Sequence, residues 1–338
     1  MTKKNDKRNS MIPAAAALLL LFNFNAEACR MMALFAPDGA DAVGPQLILG
    51  ALSTSPRSLK DQSRKGEKKR YSDIYTLEDL DKAYETYGNP DGWGVVFYAG
   101  DQTPHEARSA GPAYADKFYD ETVDKLSRGK AEIVLAHVRL ASDRSTVSEA
   151  NTHPFVHGNW SFMHNGSIDL RDCVPINNKL AGFKEKYGLA PKGPVDSEQA
   201  FYYFLGKLEE KKQALKALTD EEIIRTFAET VKDLKTGARR STRAFIAANP
   251  MYPGKILSSP VMNFIATNGE LILVYKNGHE LYLGRVKTKD GAKPYYLIAS
   301  DILQPLKDRH IEWFEIPQNY ILTIKKSTQE LNLMPLED

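Results

Sequence analysis

Short apolar runs recur along this chain from Cys29 to Ile324, and stretches of helical period fall in groups between them rather than one after each run. That arrangement argues against strict βαβ alternation and predicts packed sheets covered by helices. Cys29 to Ala36, Gly92 to Ala99, Glu132 to Leu140 and Trp160 to His164 read as strands, the last ending in a turn. Thr76 to Tyr87 places Leu77, Leu80 and Tyr84 at helical spacing, and Tyr114 to Ser127 is also read as helix. Two longer helices are predicted over Ser197 to Leu215 and Asp220 to Leu234, with Phe201, Phe204, Leu205 and Leu208 forming a core face on the first. The C-terminal third reads as mainly β. There Met262 to Thr267 and Glu270 to Tyr275 flank Asn268-Gly269, the pair most favoured for a type I′ hairpin. Further strands are expected at Glu280 to Val286, Tyr295 to Ser300, Glu312 to Ile316 and Tyr320 to Ile324.

Only Cys29 and Cys173 are present in 338 residues, so stability has to come from an ordinary core rather than a disulfide framework. Cys29 follows a leader with a basic start (Lys3, Lys4, Lys7, Arg8), an apolar run from Met11 to Phe24, and the small-x-small triplet Ala26-Glu27-Ala28. This is the pattern of a secretory signal, and its run is shorter than the roughly 20 residues of a membrane span. The expectation is a cleaved signal peptide over 1–28, a single domain over 29–338, a periplasmic location, and membrane contact only during export. A lipoprotein would also be cut before a cysteine, but Glu27 and Ala26 fit that signal poorly.

Four of the 45 basic and two of the 43 acidic side chains lie in the leader, so the remainder balances to zero formal charge. Nothing in that balance points to nucleic acid. Lys60 to Arg70 is a charged stretch read as a solvated loop. No internal repeat stands out. No P-loop or dinucleotide fingerprint is present, and no cofactor is expected.

Cleavage after Ala28 would leave a cysteine with a free α-amine. Such an amine, with a pKa near roughly 7.7, can take the thiol proton directly or through one water. The other residues suited to chemistry are concentrated in short segments. These are Asn89-Pro90-Asp91-Gly92-Trp93-Gly94, Ala136-His137-Val138-Arg139-Leu140-Ala141-Ser142, Asn151-Thr152-His153-Pro154-Phe155, His164-Asn165-Gly166 and Asp196-Ser197-Glu198.

With Cys29-Arg30 at the start, these segments in this order resemble the class II glutamine amidotransferases, members of the N-terminal-nucleophile (Ntn) hydrolases. The likeness is to the stand-alone branch, whose SLxxQS pattern is matched by Ser58 to Ser63 and whose terminal pattern is matched by Ala299-Ser300, Trp313 and Ile316-Pro317. It implies an α+β fold, a four-layer αββα sandwich, with Cys29 opening a central strand. It also implies a small-molecule substrate, glutamine or a γ-glutamyl amide, cleaved through a γ-glutamyl thioester on Cys29.

The resemblance further implies a role for each segment. Asn165 and the Gly166 N–H would meet the oxyanion, and Arg139 would read the substrate α-carboxylate with its planar fork. Asp196 would take the α-ammonium, His153 would shape the pocket, and Asp91, Gly92, Trp93 and Gly94 would form a supporting loop. Loops around Lys60 to Arg70 and Asn177 to Lys192 would set specificity. Water is the expected acyl acceptor outside the cytoplasm.

Other readings stand beside these. Arg139 could be a structural ion pair, Asp196 a helix N-cap, and Asn165-Gly166 a hairpin turn. His137, His153, His157 and His164 lack carboxylate or cysteine partners at a ligand spacing, so no metal is expected. Cys173 is expected to be a buried free thiol. An acylase of the penicillin or bile-salt type shares the terminal cysteine, and a lipid-anchored binding module would use the pocket without turnover.

Overall fold

The computed structural model describes residues 29–36, 43–64, 88–100, 102–215, 217–248, 260–287, 294–303 and 310–337. The leader over 1–28, the helix expected at Thr76 to Tyr87 and the Lys65 to Arg70 part of the charged stretch lie outside them.

Two antiparallel sheets face each other. The first has seven strands: β1 (Arg30–Phe35), β2 (Trp93–Tyr98), β3 (Pro104–Ser109), β4 (Ile133–Val138), β9 (Tyr282–Val286), β10 (Tyr295–Ala299) and β11 (Ile311–Glu315). Their order is β11-β9-β10-β1-β4-β2-β3. The second holds β5 (Phe155–His157), β6 (Trp160–Ser167), β7 (Val261–Thr267), β8 (Leu271–Lys276), β12 (Tyr320–Lys325) and β13 (Leu331–Pro335), ordered β13-β12-β8-β7-β6-β5.

Helices α1 (Pro45–Leu49), α2 (Leu59–Arg64) and α3 (Lys117–Arg128) pack on the outer face of the first sheet. Helices α4 (Val174–Tyr187), α5 (Asp196–Leu215) and α6 (Asp220–Ala248) cover the second. The result is the expected αββα sandwich.

The strand period decides what enters the middle layer. On β1, Met32 and Leu34 join the outer core, whereas Met31, Ala33 and Phe35 join the core between the sheets. On β4, Val134, Ala136 and Val138 are outer, and Ile133 and Leu135 inner. Extending that alternation turns Cys29, His137 and Arg139 inward at one end of the layer. Both faces of β1 are buried, which explains its unbroken apolar sequence; each large apolar side chain so buried contributes about 1.5–3 kcal/mol.

Several boundaries differ from the sequence expectation. Helix α6 runs on to Ala248, and α4 occupies most of the segment read as the loop Asn177 to Lys192. Lys60 to Arg64 belongs to α2 rather than to a loop. Strand β3, with the polar sequence PHEARS, lies at a sheet edge where its exposed face gives no apolar alternation to read. The β7–β8 hairpin turns through Asn268, Gly269 and Glu270, not a two-residue type I′ turn. The Asn268 side chain accepts from the N–H groups of Glu270 (3.1 Å) and Leu271 (2.8 Å), and Gly269 alone takes a positive φ of 89°.

Candidate active site

Cys29 sits at the N-terminal end of β1, where the sheet and a serine hold the main chain. Ser300 Oγ accepts from the Met31 N–H at 2.8 Å, and the Ser300 N–H and Oγ each donate to the Met31 carbonyl at 3.1 Å. The Leu140 N–H donates to Cys29 Sγ at 3.3 Å, and the thiol lies 3.5 Å from the Leu140 carbonyl. Burial pushes the Cys29 thiol pKa up, while the Leu140 backbone and the Arg139 charge pull it back. The thiol therefore needs a base to act as a nucleophile near neutrality.

Arg139 continues the line of β4 and is locked to the glycine-rich turn. Its N–H donates to the Gly92 carbonyl (2.8 Å), its carbonyl accepts from the Asp91 N–H (3.0 Å), and Asp91 Oδ2 accepts from the Ala141 N–H (2.9 Å). Trp93 anchors the same turn to α3 by donating from Nε1 to Asp116, the residue that caps that helix, at 2.8 Å. A Cβ on Gly94 would lie 2.2 Å from the His153 carbonyl, so this position keeps glycine because the Asn151 to Phe155 segment crosses it. Gln62 holds the start of the turn, its carbonyl accepting from both the Asn89 N–H (3.3 Å) and Nδ2 (3.1 Å). These contacts give Asp91 to Gly94 and the Ser58 to Ser63 motif a structural task, as supports of the Arg139 segment.

The Arg139 side chain is 6% exposed. Its guanidinium donates from Nη1 to the Thr146 carbonyl (2.9 Å) and from Nη2 to Thr146 Oγ1 (2.8 Å). Burial lowers its pKa, opposed by Cys29 and by the carboxylates of Asp91 and Asp196. Thr146 is not legible in the sequence, because a threonine in a polar loop carries no periodicity or motif to mark it.

Asn165-Gly166 is not a hairpin turn. Both residues lie inside β6, which continues to Ser167, in register with Asn263 and Met262 of β7. Gly166 has φ of 148°, and a Cβ there would stand 2.0 Å from the Val261 carbonyl, so neighbouring backbone dictates glycine. The Asn165 amide is fully buried, and neither its oxygen nor its nitrogen has a hydrogen-bond partner. Alternation along β6 puts it on the same face as Met163, which belongs to the core between the sheets, and β1 lies against β6 across that layer. A buried amide left unpaired costs about 1–3 kcal/mol, so its retention asks for a reason.

Beneath these groups lie three buried histidines. His164 on β6 is fixed by Ser197 Oγ at Nδ1 (2.8 Å) and the Val261 carbonyl at Nε2 (3.0 Å), which places its proton on Nε2. His137 and His153 stack with ring centroids 4.4 Å apart, His153 also meeting Phe155 edge-on at 4.6 Å. His137 faces the His164 backbone without a hydrogen bond of normal geometry. Burial lowers the pKa of all three, that of His137 to about 3, so they are neutral at physiological pH. His157 lies apart and exposed beside Tyr202. Among the described residues no three His, Cys, Asp or Glu side chains converge as a metal site.

Asp196 opens α5 and is half-buried. Its Oδ2 accepts from the Ile168 N–H at 2.6 Å and its Oδ1 from the Ser197 N–H at 2.7 Å, with Ser197 Oγ, whose proton faces His164, 3.2 Å from the same oxygen. The carboxylate braces the chain just past β6, rather than capping N–H groups one turn into its own helix. Cys173 is free and buried.

The family model for class-II glutamine amidotransferases matches residues 79–249. The probable glutamine amidotransferase DUG3 of Saccharomyces cerevisiae is 26% identical over 71% of this chain and 71% of its own length. The putative glutamine amidotransferase YafJ of Escherichia coli is 32% identical over 36% of the chain and 44% of its own length. The γ-glutamyl-hercynylcysteine sulfoxide hydrolase of Mycolicibacterium smegmatis is 31% identical over 26% of the chain. The chain spans 37% of that hydrolase, so two of these three relatives are matched over less than half their length. Among solved structures, the glutamine phosphoribosylpyrophosphate amidotransferase of B. subtilis superposes over 91% of this chain and 49% of its own with a TM-score of 0.51. At 14% identity that likeness bears on the fold, two packed antiparallel sheets between helices. With the family model covering half of the sequence, this chain belongs to the class-II glutamine amidotransferases.

Proposed function

We propose that the protein is exported, loses residues 1–28, and hydrolyses the side-chain amide of glutamine or of a substituted γ-glutamyl amide through a thioester on Cys29. The observation that carries this reading is the unpartnered Asn165 amide, buried in the layer toward which Cys29 and Arg139 turn from the opposite sheet. An amide buried without a protein partner is a preorganised donor for an oxygen that gains charge only during reaction.

The freed α-amine of Cys29 takes the thiol proton, and sulfur bonds to the substrate amide carbon while the carbonyl electrons move to oxygen. That oxyanion meets Asn165 Nδ2–H and the Gly166 N–H. Collapse breaks the C–N bond, and the amine leaves with the proton held by the α-amine. Water then bonds to the acyl carbon, the C–S bond breaks, and glutamate departs as the thiol is restored. Arg139 holds the α-carboxylate and Asp196 the α-ammonium, which leaves the amide substituent unconstrained. The activity named for the mycobacterial relative, on a γ-glutamyl compound, supports hydrolysis with a substituted amide.

Mass spectrometry of the secreted protein, paired with a glutamine-mimicking electrophile, tests this. A free Cys29 terminus that labels, with labelling lost in Cys29→Ala at unchanged circular dichroism, is expected. A diacylglyceryl-modified Cys29, or labelling retained in the alanine variant, overturns the mechanism. A form that retains Met-Ala ahead of Cys29 should be inactive for want of the free amine.

A further inference from the structure

The guanidinium of Arg139 is aimed by a residue pair outside every motif of the family likeness except one asparagine. Thr146 takes both terminal nitrogens of Arg139, one on its carbonyl and one on its hydroxyl. The same carbonyl accepts from Asn151 Nδ2 at 2.9 Å, and Thr146 Oγ1 donates to the Asp143 carbonyl at 2.6 Å. Thr146 is thereby held from two sides, at the end of a short 3₁₀ turn (Arg144–Thr146) that has no apolar anchor of its own.

Asn151 is 6% exposed, and its position is limited by Gly193, where a Cβ would fall 2.2 Å from Asn151 Oδ1. Gly193 is in turn tied to α5, its N–H donating to the buried Glu198 carboxylate at 2.6 Å. One continuous set of contacts thus runs from Arg139 through Thr146, Asn151 and Gly193 to Glu198, two residues beyond Asp196.

We propose that Thr146 and Asn151 are positioning residues for substrate recognition, and that the small size of Gly193 sets where they hold the Arg139 fork. The inference rests on the proposed role of Arg139 as the reader of the α-carboxylate. Two nitrogens of a planar fork bonded to a single residue fix its plane, so a carboxylate can meet the remaining N–H edge without the guanidinium first being ordered. The contacts through Glu198 link that plane to the start of the helix bearing Asp196, so the two charges that would grip a γ-glutamyl head are held by one connected frame.

The test compares glutamine with 4-aminobutanamide, which has the same amide and amine but no α-carboxylate. In Thr146→Val the KM for glutamine should rise about tenfold, the scale of one charge-assisted hydrogen bond, with kcat changed by less than about twofold. Kinetics on 4-aminobutanamide should be nearly unaffected, and Thr146→Ser, which keeps both oxygens, should recover most of the loss. Gly193→Ala removes no polar atom yet should shift glutamine KM the same way by displacing Asn151, and it serves if the valine variant folds poorly. Equal losses on both substrates, or an unchanged KM in folded Thr146→Val and Gly193→Ala, overturn the proposal while leaving the reading of Arg139 intact. Failure of the wild type to turn over glutamine or bind glutamate overturns both.

Discussion

The two ends of the layer between the sheets are built from the same strands but treat polar groups in opposite ways. At the far end Tyr98 is buried among Phe35, Ile272 and Ile324, and its hydroxyl is fully engaged. It lies 3.0 Å from the Asn159 carbonyl and 3.2 Å from the Thr267 carbonyl, and also meets Ser161 Oγ. At the Cys29 end, Asn165, His137 and His153 are as deeply buried, yet their side-chain nitrogens and oxygens lack partners. A sandwich able to satisfy Tyr98 could have satisfied these groups too. Under the proposed function, the unpartnered groups at the Cys29 end gather where substrate would bind, whereas Tyr98 serves the core alone.

The sharpest way to break that comparison is Asn165→Leu, which matches volume and removes the unpaired amide. The variant should lose about 10²–10³-fold in kcat, the usual effect of an oxyanion donor. Its thermal midpoint should rise by about 2 °C or more, because an orphaned polar group has gone. A lower midpoint with unchanged turnover would show that Asn165 belongs to the core.

Arg139→Lys keeps the charge but not the planar fork, and KM for a γ-glutamyl substrate should rise about tenfold with a smaller effect on kcat. An unchanged KM would remove Arg139 from the pocket. At the opposite end Tyr98→Phe should cost about 1 kcal/mol in denaturant titration and leave steady-state kinetics alone. Any change in KM there would mean the two ends are not separable.

The smallest effect near neutrality concerns acid. His137 binds its proton near pH 6.5 when unfolded but only at about 3 when folded, so its contribution is complete above 6.5 and shrinks as pH falls toward 3. At pH 6 the loss should be below about 1 kcal/mol and grow with further acidification. His137→Gln should flatten the dependence of the thermal midpoint on pH by one proton's slope, and an unaltered slope would refute the buried neutral state.

Elements buried on both faces, or on one regular face, were legible because period and burial coincide. The strands at Arg30–Phe35 and Ile133–Val138 and the helix at Asp196–Leu215 were found within a few residues. Edge strand β3 is polar, and β13, with the sequence LNLMP, is short and largely exposed, so neither carries a buried apolar run to read. Helix α4 is not legible because its core contacts are few, Ile176, Leu180 and Phe183, among lysines and asparagines. At the site, chemistry-bearing residue types are legible from the motifs, but the glycine of Asn165-Gly166 suggests a turn at a strand end where the strand in fact continues. Its requirement comes instead from the Val261 carbonyl on a strand far along the chain, which no local pattern could show. Thr146 was invisible for the same reason, since only the folded loop brings its two oxygens to Arg139.

The Ser300 latch on Met31 also has a kinetic side. The two residues are 269 positions apart, and β1 is flanked on one side by β4 and on the other by β10. Until β10 arrives, the first strand has an open edge and nothing to fasten its start. Such long-range closure makes for slow folding, and β1 cannot complete its pairing until the last third of the chain is made. The segment bearing Cys29 is thus made long before β10 and locked only after it, so any processing ahead of Cys29 has an interval in which that end is still within reach.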